Sequence, residues 1–177
     1  MTAARDISKT DRDFLKLCVE LAQESLDAGD EPFGSILVNE NGSVIATSRN
    51  RVNELNALAH PEIDLARWAL DNLNLEQRKK TTMYTTGEHC PMCAAAHGWA
   101  EIGTLIYLAS GKQLTEWYSE FGRKQAPINF FPVQKIIKNV VIKGPLEGDL
   151  LVRIKEMHCK SYRSKQNGQQ RDYEKSN

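Results

Sequence analysis

From Pro32 to Tyr162 the chain alternates short β-branched or apolar runs with stretches of helical spacing, and this alternation limits the fold more than any other feature. PFGSILV (Pro32–Val38), SVIATS (Ser43–Ser48), TTMYTT (Thr81–Thr86), TLIYLA (Thr104–Ala109) and KNVVIKG (Lys138–Gly144) read as strands. Asn41-Gly42 marks a hairpin between the first two. A first helix is expected from Thr10, as its N-cap, to about Ala28. It carries Phe14, Leu17, Cys18, Leu21 and Ala22 on one face, with Gly29 as its stop. A second starts near His60 and is apolar on most sides, with Ile63, Leu65, Ala66, Trp68, Ala69 and Leu70. Further helices are expected in CPMCAAAHGWAEIG, closing near Gly103, in LTEWYSEFG, and from Leu146 to about Tyr162. Strands alternating with helices predict an α/β domain, a three-layer α/β/α sandwich around a central mixed five-stranded sheet.

The length of 177 residues suits one such domain, placed at 1–162. The stretch 163–177, RSKQNGQQRDYEKSN, has one aromatic and no aliphatic residue and is expected to be a mobile polar tail. Lys plus Arg number 23 and Asp plus Glu 23, a balance that excludes a generically basic nucleic-acid binder but not a local patch. No apolar run approaches the ~18 residues of a membrane span, and the start MTAARDISKTDRD is too polar for a signal peptide. The 4 cysteines are too few for a disulfide scaffold, which points to a reducing compartment, the cytoplasm.

Two short motifs carry chemistry: His60-Pro61-Glu62 and Cys90-Pro91-Met92-Cys93, each where a loop or strand gives way to a helix. A helix start offers free N–H groups and a positive dipole end, which favour thiolate over thiol. One imidazole and two thiolates make a three-ligand zinc site with its fourth position open to water, the catalytic pattern. Glu62 is then close enough to handle that water's protons without ligating the metal. Cys-Pro-x-Cys is also a redox dithiol, but that use places it after the first strand of a fold, and here two helices and three strands precede it. A structural zinc knuckle needs a fourth ligand. Cys18 and Cys159 are remote and sit in helical patterns, where a thiol packs as a small hydrophobe. His97 and His158 lie on helices and read as packing or surface residues.

H-x-E followed by T-x-E-x-C-x-M-C at a strand end resembles the signature of the zinc-dependent cytidine-deaminase-like superfamily. The likeness runs from about Thr10 to Tyr162. The order of elements after Cys93 is most similar to guanine deaminase, yeast-type cytosine deaminase and tRNA adenosine deaminase. The resemblance implies that His60, Cys90 and Cys93 hold one Zn2+ and that Glu62 is the proton shuttle. Water would attack the ring carbon bearing an exocyclic amine, and Glu62 would carry protons to the ring nitrogen and then to the departing ammonia. Asn50 sits where the family places a substrate-binding Asn, and the main-chain carbonyl of Glu88 would face the leaving amine. Phe33 is a candidate pocket wall, although a core Phe has the same pattern.

Two residues depart from that pattern. Pro61 replaces the usual Ala or Gly and removes an N–H that relatives offer to a substrate carbonyl, so the edge facing it is expected to be apolar, absent or bonded otherwise. His89 replaces the usual Pro before the first cysteine; it would contact substrate, support the metal ligands, or point to solvent. The favoured reading is a deaminase of a free nucleobase, nucleoside or related amino-heterocycle, guanine- or nucleoside-deaminase-like. The alternatives are tRNA adenosine deamination and a non-catalytic zinc-binding relative, which would have no use for Glu62. Arg153, Lys155, Lys160, Arg163, Lys165 and Arg171 offer cations for an RNA, but a basic helix face is more often only solvated. The resemblance also implies a homodimer. Trp99, Trp117, Tyr118 and Phe121 are candidates for its interface or for the core.

Overall fold

The computed structural model describes residues 7–124 and 126–175, with side-chain surroundings through residue 166. Five strands form one mixed sheet in the order β2-β1-β3-β4-β5: β1 (Gly34–Val38), β2 (Val44–Arg49), β3 (Thr82–Gly87), β4 (Thr104–Ala109) and β5 (Val141–Lys143). β1 runs antiparallel to both β2 and β3, whereas β3, β4 and β5 are parallel. Side chains alternate across the sheet as strand geometry requires. Ile36, Val38, Tyr84, Ile106 and Leu108 point to one core, and Leu37, Met83, Leu105 and Tyr107 to the other.

The first core is covered by α1 (Lys9–Asp27), α5 (Gly111–Glu120) and α6 (Asp149–Lys175), and the second by α2 (Pro61–Asn72) and α4 (Pro91–Ala100). This is the expected three-layer sandwich. A short α3 (Leu75–Lys80), not anticipated from the sequence, joins α2 to β3; Asn74 and Gln77 form a reciprocal cap at its start. Among the described residues no helix is long and apolar enough to cross a membrane.

Several boundaries move for identifiable reasons. The N-cap of α1 is Ser8 rather than Thr10, because Asp11 then stands at the third helical position and accepts a hydrogen bond from the Ser8 N–H at 2.9 Å. The buried stripe of α1 is accordingly Leu15, Cys18, Val19 and Ala22, while Leu17 is turned outward. The hairpin turns through four residues, Asn39–Gly42. Only Gly42 has a positive φ, 76°, and the Asn39 side chain accepts the N–H groups of Asn41 and Ser43 at 3.0 Å. α5 begins three residues before Leu114, where Ser110 caps it with Gln113. Asn139, at φ 60°, bends the chain and delays β5 to Val141. Leu70 on α2 is exposed. α6 continues through Lys175, past the end expected near Tyr162 and through most of the 163–177 stretch.

Candidate active site

The starts of α2 and α4 meet at one end of the sheet. His60 is the N-cap residue of α2 and Cys90 that of α4, each followed by proline at the first helical position. Neither side chain caps its own helix, so both are free to point into the gap between the two helix starts. His60 Nδ1 lies 3.8 Å from Cys90 Sγ and 3.6 Å from Cys93 Sγ. Tetrahedral zinc with Zn–S of about 2.3 Å and Zn–N of about 2.0 Å separates sulfur from nitrogen by about 3.6 Å. The ligand atoms of the three residues all lie within 4.8 Å of one another, so the set could hold one ion between them. A hydrogen bond from Cys93, and further the neighbouring His60, pull the Cys90 thiol down from its ordinary pKa, which favours the thiolate form that a metal takes.

Glu62 follows two residues after His60 and is 5% exposed. Its Oε1 accepts a hydrogen bond from Thr85 Oγ1 at 2.9 Å, and Ser35 Oγ stands 3.3 Å from the same oxygen. Ser35 and Thr85 face each other across the β1–β3 pair, with their hydroxyls 2.8 Å apart. Burial pushes the Glu62 pKa up, and the neighbouring His60 offsets part of that rise. Neither Ser35 nor Thr85 is apparent from sequence. Small hydroxyls in strands carry no signal until the register sets them side by side.

A cavity of about 740 Å³ opens from these groups, at the carboxyl ends of the parallel strands β3 and β4. His60, Glu62 and Cys90 line it, together with Phe33, Asn50 and Glu88. Asn50 is 1% exposed and tightly framed: its main-chain oxygen accepts from Ser25 Oγ at 2.9 Å and its Oδ1 from the Val52 N–H at 3.0 Å. That orientation leaves the Nδ2 amide without a protein acceptor among the described residues. Phe33 packs edge-on against His158 at 4.8 Å, so it serves as cavity wall and core at once. The Glu88 carboxylate accepts from the Gly111 N–H at 2.7 Å and the Val133 N–H at 2.8 Å, tying together the two loops that flank the cavity.

Two expected site residues are elsewhere. Pro61 is buried in the first turn of α2 and is not part of the cavity lining. His89 is also absent from the lining. It is 2% exposed and inserts beneath α4, with its Nε2 3.2 Å from His97 Nδ1, so it meets neither substrate space nor solvent. His97 and His158 are fully buried packing residues. Of the four aromatic candidates for an interface, Trp117 is core, Phe121 packs against that core, Tyr118 lines the cavity and Trp99 on α4 is 85% exposed. Glu31 and Arg123, also in the cavity lining, escape sequence reasoning, since each sits in a loop without pattern. Arg171 lies outside the residues whose side chains are described.

An imidazole and two cysteine sulfurs arranged for zinc, with a buried carboxylate at hand, are the apparatus of a zinc-type deaminase, a hydrolase acting on C–N bonds. Residues 8–109 match the family described as the cytidine and deoxycytidylate deaminase zinc-binding region, and the chain belongs to that family. It is 30% identical over 120 residues to a probable cytosine deaminase of Schizosaccharomyces pombe, covering 68% of this chain and 73% of that protein. A tRNA-specific adenosine deaminase of Agrobacterium fabrum is 40% identical over 95 residues, 53% of this chain and 62% of its own length. The solved structure of a guanine deaminase from Bacillus subtilis superposes with a TM-score of 0.52 at 31% identity, over 68% of this chain and 83% of that one.

Proposed function

We propose that this chain hydrolytically deaminates a small amino-heterocycle, a free nucleobase, nucleoside or related ring, with guanine- or nucleoside-type substrates first. The reading rests chiefly on one observation: Glu62 is buried beside His60, Cys90 and Cys93, and with His60 and Cys90 it lines a cavity about 740 Å³ in volume. Zinc, when held by those three residues, supplies the Lewis acidity that brings the pKa of a water towards ~7. Glu62 takes one proton from the attacking water and passes it to the ring nitrogen, then takes the second from the hydroxyl now on the ring carbon and hands it to the exocyclic amine. The ring carbon gains an oxygen and ammonia departs. Burial, which raises the pKa of Glu62, suits a group that must both accept and return a proton near neutrality. Asn50 donates its free amide to a ring acceptor, Phe33 flanks the ring, and the main-chain carbonyl of Glu88 accepts from the leaving amine.

Deamination of adenosine in tRNA is the second reading, supported by the likeness to the Agrobacterium fabrum enzyme. Two of the cations that would serve it already have acidic partners, Lys155 with Glu120 at 2.7 Å and Lys165 with Glu31 at 3.6 Å, which supports the small ring as the first reading. In this reading the protein is a cytoplasmic homodimer with Trp99 at its interface, the catalytic domain spans 1–162, and 163–177 is a tail whose Lys165 reaches back to Glu31. The test is ammonia release by zinc-loaded protein on a panel of bases, nucleosides, pterins and triazines, with Glu62→Ala as blank. A Glu62-dependent signal supports the reading and identifies the ring. Silence with stoichiometric zinc overturns it in favour of tRNA or of a non-catalytic relative.

A further inference from the structure

Charged groups that the reaction above does not use, Glu31, Arg123 and Lys124, also line the cavity. Glu31 lies in the turn between α1 and β1, Arg123 just after α5, and Lys165 on α6. Arg123 Nη2 donates to Glu31 Oε1, and Lys165 Nζ lies 3.6 Å from the same oxygen. The guanidinium of Arg123 rests 4.3 Å over the Tyr118 ring, which pins the arginine from a second side. The Glu31 backbone is equally fixed: its carbonyl accepts from Ser25 Oγ at 2.7 Å and from the Phe33 N–H at 2.8 Å. Burial raises the Glu31 pKa, but Arg123 and Lys165 more than offset it and hold the group as a carboxylate at neutral pH. Its second oxygen, Oε2, has no protein partner among the described residues and is not sealed within protein.

We propose that Glu31 is a specificity-determining residue whose Oε2 accepts a hydrogen bond from an N–H on the edge of the heterocycle remote from the leaving amine. The proposal rests on the small-ring deaminase reading and deepens it. A carboxylate accepts but does not donate, so this position selects a ring N–H or a second amine and disfavours a bare carbonyl. Arg123 and Lys165 are both spent on Oε1, and the adjacent carboxylate repels anions. The position therefore takes a ring edge that carries a second N–H. A partly buried anion left without its donor penalises any analogue that lacks the N–H, which turns one hydrogen bond into discrimination. Arg123 is the positioning residue: by holding Oε1 it leaves Oε2 as the oxygen offered to the cavity.

The experiment is calorimetric binding of guanine, cytosine and a diaminotriazine to the zinc-loaded full chain, each beside a counterpart methylated on the remote N–H. Wild type is expected to bind at least one N–H ring about tenfold or more tightly than its methylated counterpart. Glu31→Ala and Glu31→Gln should reduce that preference to within about twofold, and Arg123→Met should weaken it in the same direction. Thermal melts and zinc content confirm that each variant is folded. The inference is overturned if wild type binds no ring of the panel, if it shows no preference, or if Glu31→Ala retains the preference. Loss on Arg123→Met alone would assign the contact to the arginine and also overturn it. Glu62-dependent ammonia release, measured in parallel, reports on the deaminase reading separately. Where turnover is seen, Glu31→Gln should raise KM with little change in kcat.

Discussion

His89 Nε2 lies 3.2 Å from His97 Nδ1, and His97 Nε2 lies 3.1 Å from the carbonyl of Ile102, so a chain of two hydrogen bonds runs from the residue before Cys90 to the far end of α4. The carbonyl can only accept, which makes His97 Nε2 the protonated nitrogen and Nδ1 an acceptor for the His89 N–H. Both rings are neutral. The chain ties the segment just before Cys90 to the residues that follow α4.

Burial holds the pKa of both His97 and His158 down at about 4. Their unfolded value is near 6.5, so the unfolded chain binds more protons than the folded one between those limits. Their contribution is complete above about 6.5 and is lost as pH falls towards 4, on the order of 1 kcal/mol per pH unit for each ring. Urea unfolding of wild type and His158→Gln between pH 7.5 and 4.5 checks this. The slope of stability against pH should be shallower in the variant, and equal slopes would contradict the assignment.

Glu62→Gln keeps the shape of the side chain and an acceptor for Thr85 but removes the proton shuttle. Ammonia release on the identified ring should fall by about 10²–10⁴-fold or more, with zinc content unchanged. Metal analysis beside the rate measurement separates lost catalysis from lost metal.

Thr85→Val removes the donor that holds Glu62 Oε1 at 2.9 Å while preserving volume in the strand. Ser35, at 3.3 Å, can replace only part of that bond. We expect kcat to fall about tenfold, with a stability loss of about 1–2 kcal/mol. Ser35→Ala alone should cost less, and the double variant more than either. Steady-state kinetics of the three variants tests the order.

Gly34 opens β1 directly under α1. A Cβ there would meet the carbonyl oxygen of Cys18 at 2.3 Å and Leu21 Cβ at 2.6 Å. Helix backbone cannot swing aside as a side-chain tip does, so Gly34→Ala should destabilise the fold by about 3 kcal/mol. It should also weaken substrate binding, since Phe33 and Ser35 flank the displaced residue. A drop in the unfolding midpoint without that rise in KM would show that α1 yields instead.

Local rules make much of this protein legible in its amino-acid sequence. Strand and helix periods define the α/β class, because a period of two or 3.6 residues depends only on which faces are buried. His60, Glu62, Cys90 and Cys93 stand out because metal chemistry demands particular side chains at short spacings. Tertiary structure alone decides what surrounds them. His89 has the residue type of a site group, and only the packing of α4 sends it to His97 and away from the cavity. Pro61 occupies the middle of a site motif, yet the first turn of α2 buries it. Ser35 and Thr85 become partners of Glu62 through β1–β3 register, and Glu31, Arg123 and Lys165 meet through loops and a helix far apart in sequence. The physical reason is common to all: chain propensity and ligand chemistry act over a few residues, whereas pocket walls and substrate-reading groups are set by contacts between distant elements.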